Sequence, residues 1–232
     1  MDDVNGDELT RQLIDEGARL LAEQGPAGLS LRKLAAAVGT STMTVYTRFG
    51  GKEGLLAAMY REGFRRLGER MRTATTASAD SLALGRAYRL AALESPHLYG
   101  LMFGPPPPEL VPSTDAEKAA EATYAPVVEA VRAAVELGAL VGDPDQIALH
   151  FWVVAHGMVS LELSGRLPAT PDEAARRYDE ALRLAAQPFE PPAPRLAGSA
   201  TFSSEIEEPN DQTKEPERWL MDRARRLSIR RG

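Results

Sequence analysis

Residues 31–56 read LRKLAAAVGTSTMTVYTRFGGKEGLL, and the punctuation inside this stretch decides the fold. Ser30 precedes Leu31, Leu34, Ala35 and Val38, whose i, i+3, i+4, i+7 spacing marks the buried stripe of a short serine-capped helix. Gly39 is placed to end that helix, and Ser41 to cap another. This second short helix runs through Met43, Val45 and Tyr46 toward Phe49, and Gly50-Gly51 closes it. A longer helix then opens at Lys52 and carries Leu55, Leu56, Met59, Tyr60 and Phe64. Upstream, Leu9, Leu13, Gly17 and Leu20-Leu21 predict a helix over 7–24, stopped by Gly25-Pro26-Ala27-Gly28. Two short helices across a glycine turn, braced by a first helix, make a helix-turn-helix unit.

In such a unit the second short helix, residues 41–48, is the one that can enter a DNA major groove. Val45 and Phe49 face the core, which turns Thr42, Met43, Thr44, Tyr46, Thr47 and Arg48 outward. Hydroxyls suit phosphates or base edges, methyl groups suit the thymine methyl, and Arg48 has the fork geometry for a guanine edge. Lys52, at a helix start beside the groove, suits a phosphate. Lys33 and Ser41 complete the expected contact set.

The charge distribution agrees. The chain has 232 residues with 27 Lys and Arg against 33 Asp and Glu, a net charge of -6. Between Ser30 and Arg72, however, stand Arg32, Lys33, Arg48, Lys52, Arg61, Arg65, Arg66, Arg70 and Arg72, opposed only by Glu53, Glu62 and Glu69. A basic segment on an acidic body suits a chain that touches phosphates with one end. Cysteine is absent, which excludes disulfides, thiolate metal sites and cysteine nucleophiles. His97, His150 and His156 share no metal spacing, and no nucleophile elbow or phosphate loop occurs, so neither an enzyme, a metal nor a cofactor is expected. No apolar run approaches the roughly 20 residues of a membrane helix. The acidic start MDDVNGDEL lacks the marks of a signal peptide, and the expected location is cytoplasmic.

Beyond a small polar break at 73–80 that reads as a hinge, the pattern stays helical. Helices are predicted over Leu82–Leu93, His97–Phe103, 115–138 and Ile147–Leu167, with Pro171 opening a last one through Ala186. Gly104 and Pro105 to Pro108 stop the short one. The expected class is therefore all-α, with an N-terminal three-helix helix-turn-helix DNA-binding domain at 7–52 and a connecting helix at 52–72. A second helical domain follows at 81–187. A Pro-, Ser- and acid-rich tail at 188–232 reads as disordered, and its basic end carries Arg218, Arg223, Arg225, Arg226, Arg230 and Arg231. That end is either a solvated extension or an accessory arm for DNA or an acidic partner.

The stretch 31–56 resembles the DNA-binding domain of the TetR family of bacterial repressors. Ala35, Gly39, Tyr46, Phe49 and Lys52 match the family's Ala-x-x-x-Gly, Tyr-x-x-Phe and following Lys. The resemblance implies phosphate contacts from Tyr46 and Lys52 and base reading from Ser41 to Arg48. Arg48 replaces the usual His before the Phe, and Gly51 replaces the usual Ser or Asn before the Lys. Further on, RAYRLAALESPHLYGLMFG and LHFWVVAHGMVSLELSGRL resemble the ligand domain of a subgroup named for a Trp-His-Gly motif. Only His156-Gly157 is intact, Ala155 standing where that motif has Trp and Trp152 lying one turn earlier.

The resemblance implies a homodimer through two final helices, here 145–164 and 171–186. The near-continuous apolarity of Ile147–Leu163 asks for burial on most sides, and Ala148, Ala155, Gly157 and Ser160 would permit close helix approach. Candidate walls of a pocket for a small, largely apolar effector are Tyr88, Tyr99, Met102, Phe103, Tyr124, Trp152, His156 and Met158, residue types that are more often plain core. His156 suits either a ligand or a hydrogen bond across an interface. The expected function is a ligand-released repressor on a palindromic double-stranded DNA operator. The alternative is a helical interaction module whose helix-turn-helix face binds protein.

Overall fold

The computed structural model describes residues 2–77, 82–111, 114–167 and 170–192. The described residues form nine α-helices and one 3-10 turn, with no strand among them. The order is α1 (Asp2–Gly28), α2 (Leu31–Val38), α3 (Thr42–Phe49), α4 (Lys52–Ala77), α5 (Ala83–Glu94), α6 (Pro96–Phe103), α7 (Thr114–Glu136), α8 (Pro144–Leu163) and α9 (Pro171–Ala186). The 3-10 turn, Gln187–Phe189, follows directly. The chain is all-α, as its apolar spacing predicts.

Local chemistry sets most boundaries. Ser30 Oγ accepts the Lys33 N–H at 3.2 Å, and Ser41 Oγ accepts that of Thr44 at 3.0 Å, so both short helices open on a side-chain cap. Gly39 and Gly50 close them with φ of 73° and 74°. Only glycine takes that left-handed conformation without strain. Asp143 and Thr170 cap α8 and α9, each followed by a proline at the first helical position.

Several boundaries depart from the sequence reading, among them those of α8, which spans Pro144–Leu163 rather than Ile147–Leu167. Helix α1 starts at Asp2 rather than 7, and the run continues to Gly28 across a kink at Gly25, where φ is 69°. Helix α4 does not end at 72: it runs on to Ala77, so residues 73–77 of the expected hinge are helical. Extending an existing helix costs little, since the nucleus is already formed, and weak formers such as Thr are carried along. The expected tail also begins too early, because Phe189 packs against the Val131 and Ile147 cluster and its carbonyl accepts the Val141 N–H at 2.7 Å. The remaining hinge residues 78–80 and the tail from 193, with its basic end, lie outside the described residues.

Two layers of core meet along α4. Leu13, Ile14, Ala18, Leu34, Val45, Leu55, Leu56 and Met59 fill the first, between α1 and α4. Leu98 and Leu101 of α6, and Leu110 beyond it, are buried in that same core. The second contains Phe64, Leu67 and Met71 of α4 with Tyr88, Tyr99, Ala155, Val159, Tyr178 and Leu182.

A backbone test separates turn from helix glycines. No heavy atom lies within 4 Å of an added Cβ at Gly39 or at Gly100, so neither substitution is limited by space. Gly39→Ala is expected to destabilise by about 1 kcal/mol through its left-handed backbone, and Gly100→Ala, inside α6, to stabilise by up to about 1 kcal/mol. Urea denaturation of the two variants checks the opposite signs.

Candidate nucleic-acid interface

Helix α3 projects from the first core with Val45 fully buried, while Met43 is 74% and Tyr46 53% exposed. Thr47 and Arg48 are exposed as well, and Phe49 is half-buried against the core. Of the expected outward face, Met43, Tyr46, Thr47 and Arg48 are exposed, while Thr42 and Thr44 are half-buried. Two of its threonine hydroxyls are engaged on the helix itself: Thr44 Oγ1 lies 2.8 Å from Ser41 Oγ, and Thr47 Oγ1 donates to the Met43 carbonyl at 2.9 Å. What the face presents outward is therefore mainly methyl, thioether and phenol.

The cations expected to meet DNA have partners of which the local sequence gives no sign. Arg48 Nη1 donates to Thr10 Oγ1 of α1 at 2.8 Å, and Lys33 Nζ to Gln24 Oε1 at 3.0 Å. Lys52 Nζ donates to the Pro26 carbonyl at 2.6 Å and pairs with Glu109 Oε1 at 2.9 Å. That hydrogen bond from Lys52 holds the Glu109 carboxyl below its ordinary range.

The basic run on α4 is largely neutralised within the protein. Arg65 pairs with Glu62 and Glu69, Arg66 with Glu62 and Asp15, and Arg70 with Glu94. Counting charges along 30–72 overstates the positive face, because Asp15 and Glu94 come from α1 and α5.

The candidate ligand residues do converge, but on each other. Tyr99 stacks on His156 with ring centres 5.7 Å apart, Phe103 meets both rings, and Trp152 links His156 to Tyr124. Tyr99 Oη lies 2.7 Å and Tyr88 Oη 3.2 Å from His156 Nδ1, and the two hydroxyls are 2.9 Å apart. With Tyr99 donating to Nδ1 and Tyr88 to Tyr99, the imidazole is neutral and its Nε2–H faces Ser160 Oγ at 3.4 Å. Burial pushes the His156 pKa below its ordinary value and the phenols of Tyr88 and Tyr99 above theirs.

A shallow cleft between α4, α5 and α6, with about 10 Å³ of room for a water-sized molecule, takes only Tyr99 and Met102 from the expected walls. Gly63, Arg66, Ala91 and Ser95 are among the other lining residues, and Arg66 Nη2 is shut off from solvent with no hydrogen-bond partner. Nothing in the sequence points to these residues.

On α8, two of the small residues expected at a dimer contact face inward: Ala148 and Ala155 are buried in the protomer's own core. The outward stripe is instead Leu149, Val153 and Leu161, 50%, 58% and 41% exposed, with Gly157 open to space between them.

Comparison with known proteins agrees with both halves of this picture. The family described as bacterial regulatory proteins, tetR family, matches residues 13–59, and a tetracyclin repressor-like C-terminal domain matches residues 81–185. The HTH-type transcriptional regulators Rv1816 of Mycobacterium tuberculosis and Mb1846 of Mycobacterium bovis are each 31% identical over 108 residues. That match covers 44% of this chain and 46% of each relative, so the chain spans about half the length of the curated relatives it matches. A solved protein of unknown function from Rhodococcus sp. RHA1 is 30% identical with a TM-score of 0.61, over 77% of this chain and 96% of that one. The TetR family regulator PfmR from Thermus thermophilus shares the fold at 20% identity and a TM-score of 0.61, over 75% of this chain and 97% of its own.

The half-buried imidazole of His156 carries a pH signature. Its folded pKa lies below the ordinary 6.5, so the unfolded chain binds the proton more readily and stability falls as pH drops below about 6.5. His156→Gln, which keeps hydrogen-bonding capacity without the titration, is expected to flatten the fall in melting temperature between about pH 7.5 and 5.5.

Proposed function

We propose that this chain, which belongs to the tetR family of bacterial regulatory proteins, is a DNA-binding transcriptional regulator that acts as a homodimeric repressor. The observation that carries this reading is α3, a capped helix buried on one side through Val45 and bare on the other at Met43 and Tyr46. In this reading residues 7–52 form the DNA-binding domain, 81–187 the effector and dimerisation domain, and α4 connects them. Lys33, Ser41, Thr42, Met43, Thr44, Tyr46, Thr47, Arg48 and Lys52 make the DNA contacts. Met43 and the threonine methyl groups favour thymine methyl contacts, while Tyr46 and Lys52 hold phosphates.

The apolar stripe of α8 supports a place for the second copy of the chain. Leu149, Val153, Gly157 and Leu161 lie four residues apart on one face, with Leu184 of α9 also 52% exposed. Pairing these faces through 145–164 and 171–186 sets two α3 helices about 34 Å apart, one turn of duplex, on a palindromic operator. The effector is a small, largely apolar molecule that enters the second core, where Tyr88, Tyr99, Met102, Phe103, Tyr124, Trp152 and His156 converge. It binds the DNA-incompetent state more tightly, and DNA weakens its binding by the same factor. The likeness to the Trp-His-Gly subgroup rests on His156-Gly157, with a buried Ala155 where that motif has Trp.

Two variants test separate parts of this reading. Lys52→Ala is expected to weaken binding to all duplexes alike and to lower the salt slope by about one phosphate, measured by fluorescence anisotropy across a salt series. An unchanged slope removes Lys52 from the interface. Val153→Asp is expected to yield monomers in sedimentation and to lose tight binding to a two-half-site duplex; a dimer that persists places the interface elsewhere.

A further inference from the structure

The four prolines after α6 lead into a strap that crosses back to the DNA-binding end of the molecule. Gly104 leaves α6 with its N–H on the Gly100 carbonyl, and the Leu110 N–H closes a turn onto the Pro107 carbonyl at 2.9 Å. Proline fixes φ at each of four positions, so the strap is stiff. Its end is anchored, because Leu110 is 7% exposed within the core that also holds Val45, Leu34 and Leu55. The residue before that anchor is Glu109, the partner of Lys52.

An ammonium has three donors, and two of those on Lys52 are directed at Pro26 and Glu109. The Pro26 carbonyl is neutral and orients the cation without cancelling its charge. Glu109 does cancel it. A phosphate approaching Lys52 therefore meets an ion pair of zero net charge, and the carboxylate would lie beside the phosphate in any arrangement that kept all three together. Glu109 Oε2 is shut off from solvent without a hydrogen-bond partner, while the side chains of Lys52 and Glu109 are 27% and 38% exposed, so water screens that repulsion only in part.

We infer that Glu109 is a built-in competitor of the DNA backbone for Lys52, carried on a strap that reports the position of α6 to the DNA-binding face. The inference rests on the reading of Lys52 as a phosphate contact and adds its regulation. With Glu109 in place the cation is withheld, and DNA must displace the carboxylate to gain the contact. Helix α6 packs on α1, α4 and α5, and its Tyr99 and Met102 line the cleft beside Arg66. A displacement of α6 would pull the strap and change how firmly Glu109 holds Lys52.

The test is a double-mutant cycle on the full chain, using a duplex that the wild-type protein enriches from a random library. Glu109→Gln keeps the shape and removes the charge, and is expected to tighten binding roughly three- to tenfold at low salt. Glu109→Asp, which retracts the carboxylate by one methylene, is expected to fall between. In a Lys52→Ala background the same Glu109→Gln change is expected to have no effect, since the two charges act only through each other. Weaker binding by Glu109→Gln would mean that Glu109 positions Lys52 for phosphate, and equal binding that the pair has no bearing on DNA; either overturns the competitor. Enrichment of no duplex by the wild-type chain overturns the regulator reading itself, and the competitor with it.

Discussion

The burial of Leu98, Leu101 and Leu110 among the side chains of α1 to α4 is the contact on which the rest of the molecule depends. Helices α2 and α3 are eight residues each, too short to be stable in isolation, and their positions are set by what their apolar faces rest on. Part of that support comes from far along the chain, from α6 and the strap beyond it. Each fully buried leucine contributes about 1.5–3 kcal/mol, which is large against the marginal stability of a three-helix unit. Helix α6 thus serves both cores, with Leu98 and Leu101 in the first and Tyr99 and Met102 in the second. Mechanical connection between the two halves follows from where the apolar side chains are shared.

Electrostatics reinforces the connection while reducing the positive field. Arg66 joins α4 to Asp15 of α1, and Arg70 joins it to Glu94 of α5. Deeper, Arg89 grips Glu162 with two hydrogen bonds of 2.8 and 2.6 Å, and Arg86 grips Asp179, tying α5 to α8 and α9. These forked pairs fix orientation more than they add stability, since the charges were well solvated before folding. They leave the outer face of α3, with Met43 and Tyr46, as the chemically distinctive surface of the N-terminal part.

What is legible in the sequence is local. Ser30, Gly39, Ser41 and Gly50 act on atoms three or four residues away, so cap and stop can be read directly and the short helices placed to within about a residue or two. The helices after residue 81 are readable for the same reason, punctuated by Pro96, Gly104, Gly138 and Pro171. Long-range partners are not readable. Glu109 lies 57 residues from Lys52 and Thr10 lies 38 from Arg48, and no periodicity connects such positions. Nor can periodicity orient α8: a helix apolar on nearly every face has no preferred side, so the sequence offers Ala148 and Ala155 to a partner when they face in. The aromatic candidates for an effector site do converge, but ring chemistry alone gives no sign that they close on one another.

The central claim is that two copies of α3 read one duplex from adjacent major grooves. Hydroxyl-radical footprinting of a selected duplex measures this directly. The account predicts two symmetric windows of backbone protection centred about 10 base pairs apart on one face of the DNA. A single window, or uniform protection along the fragment, would contradict it.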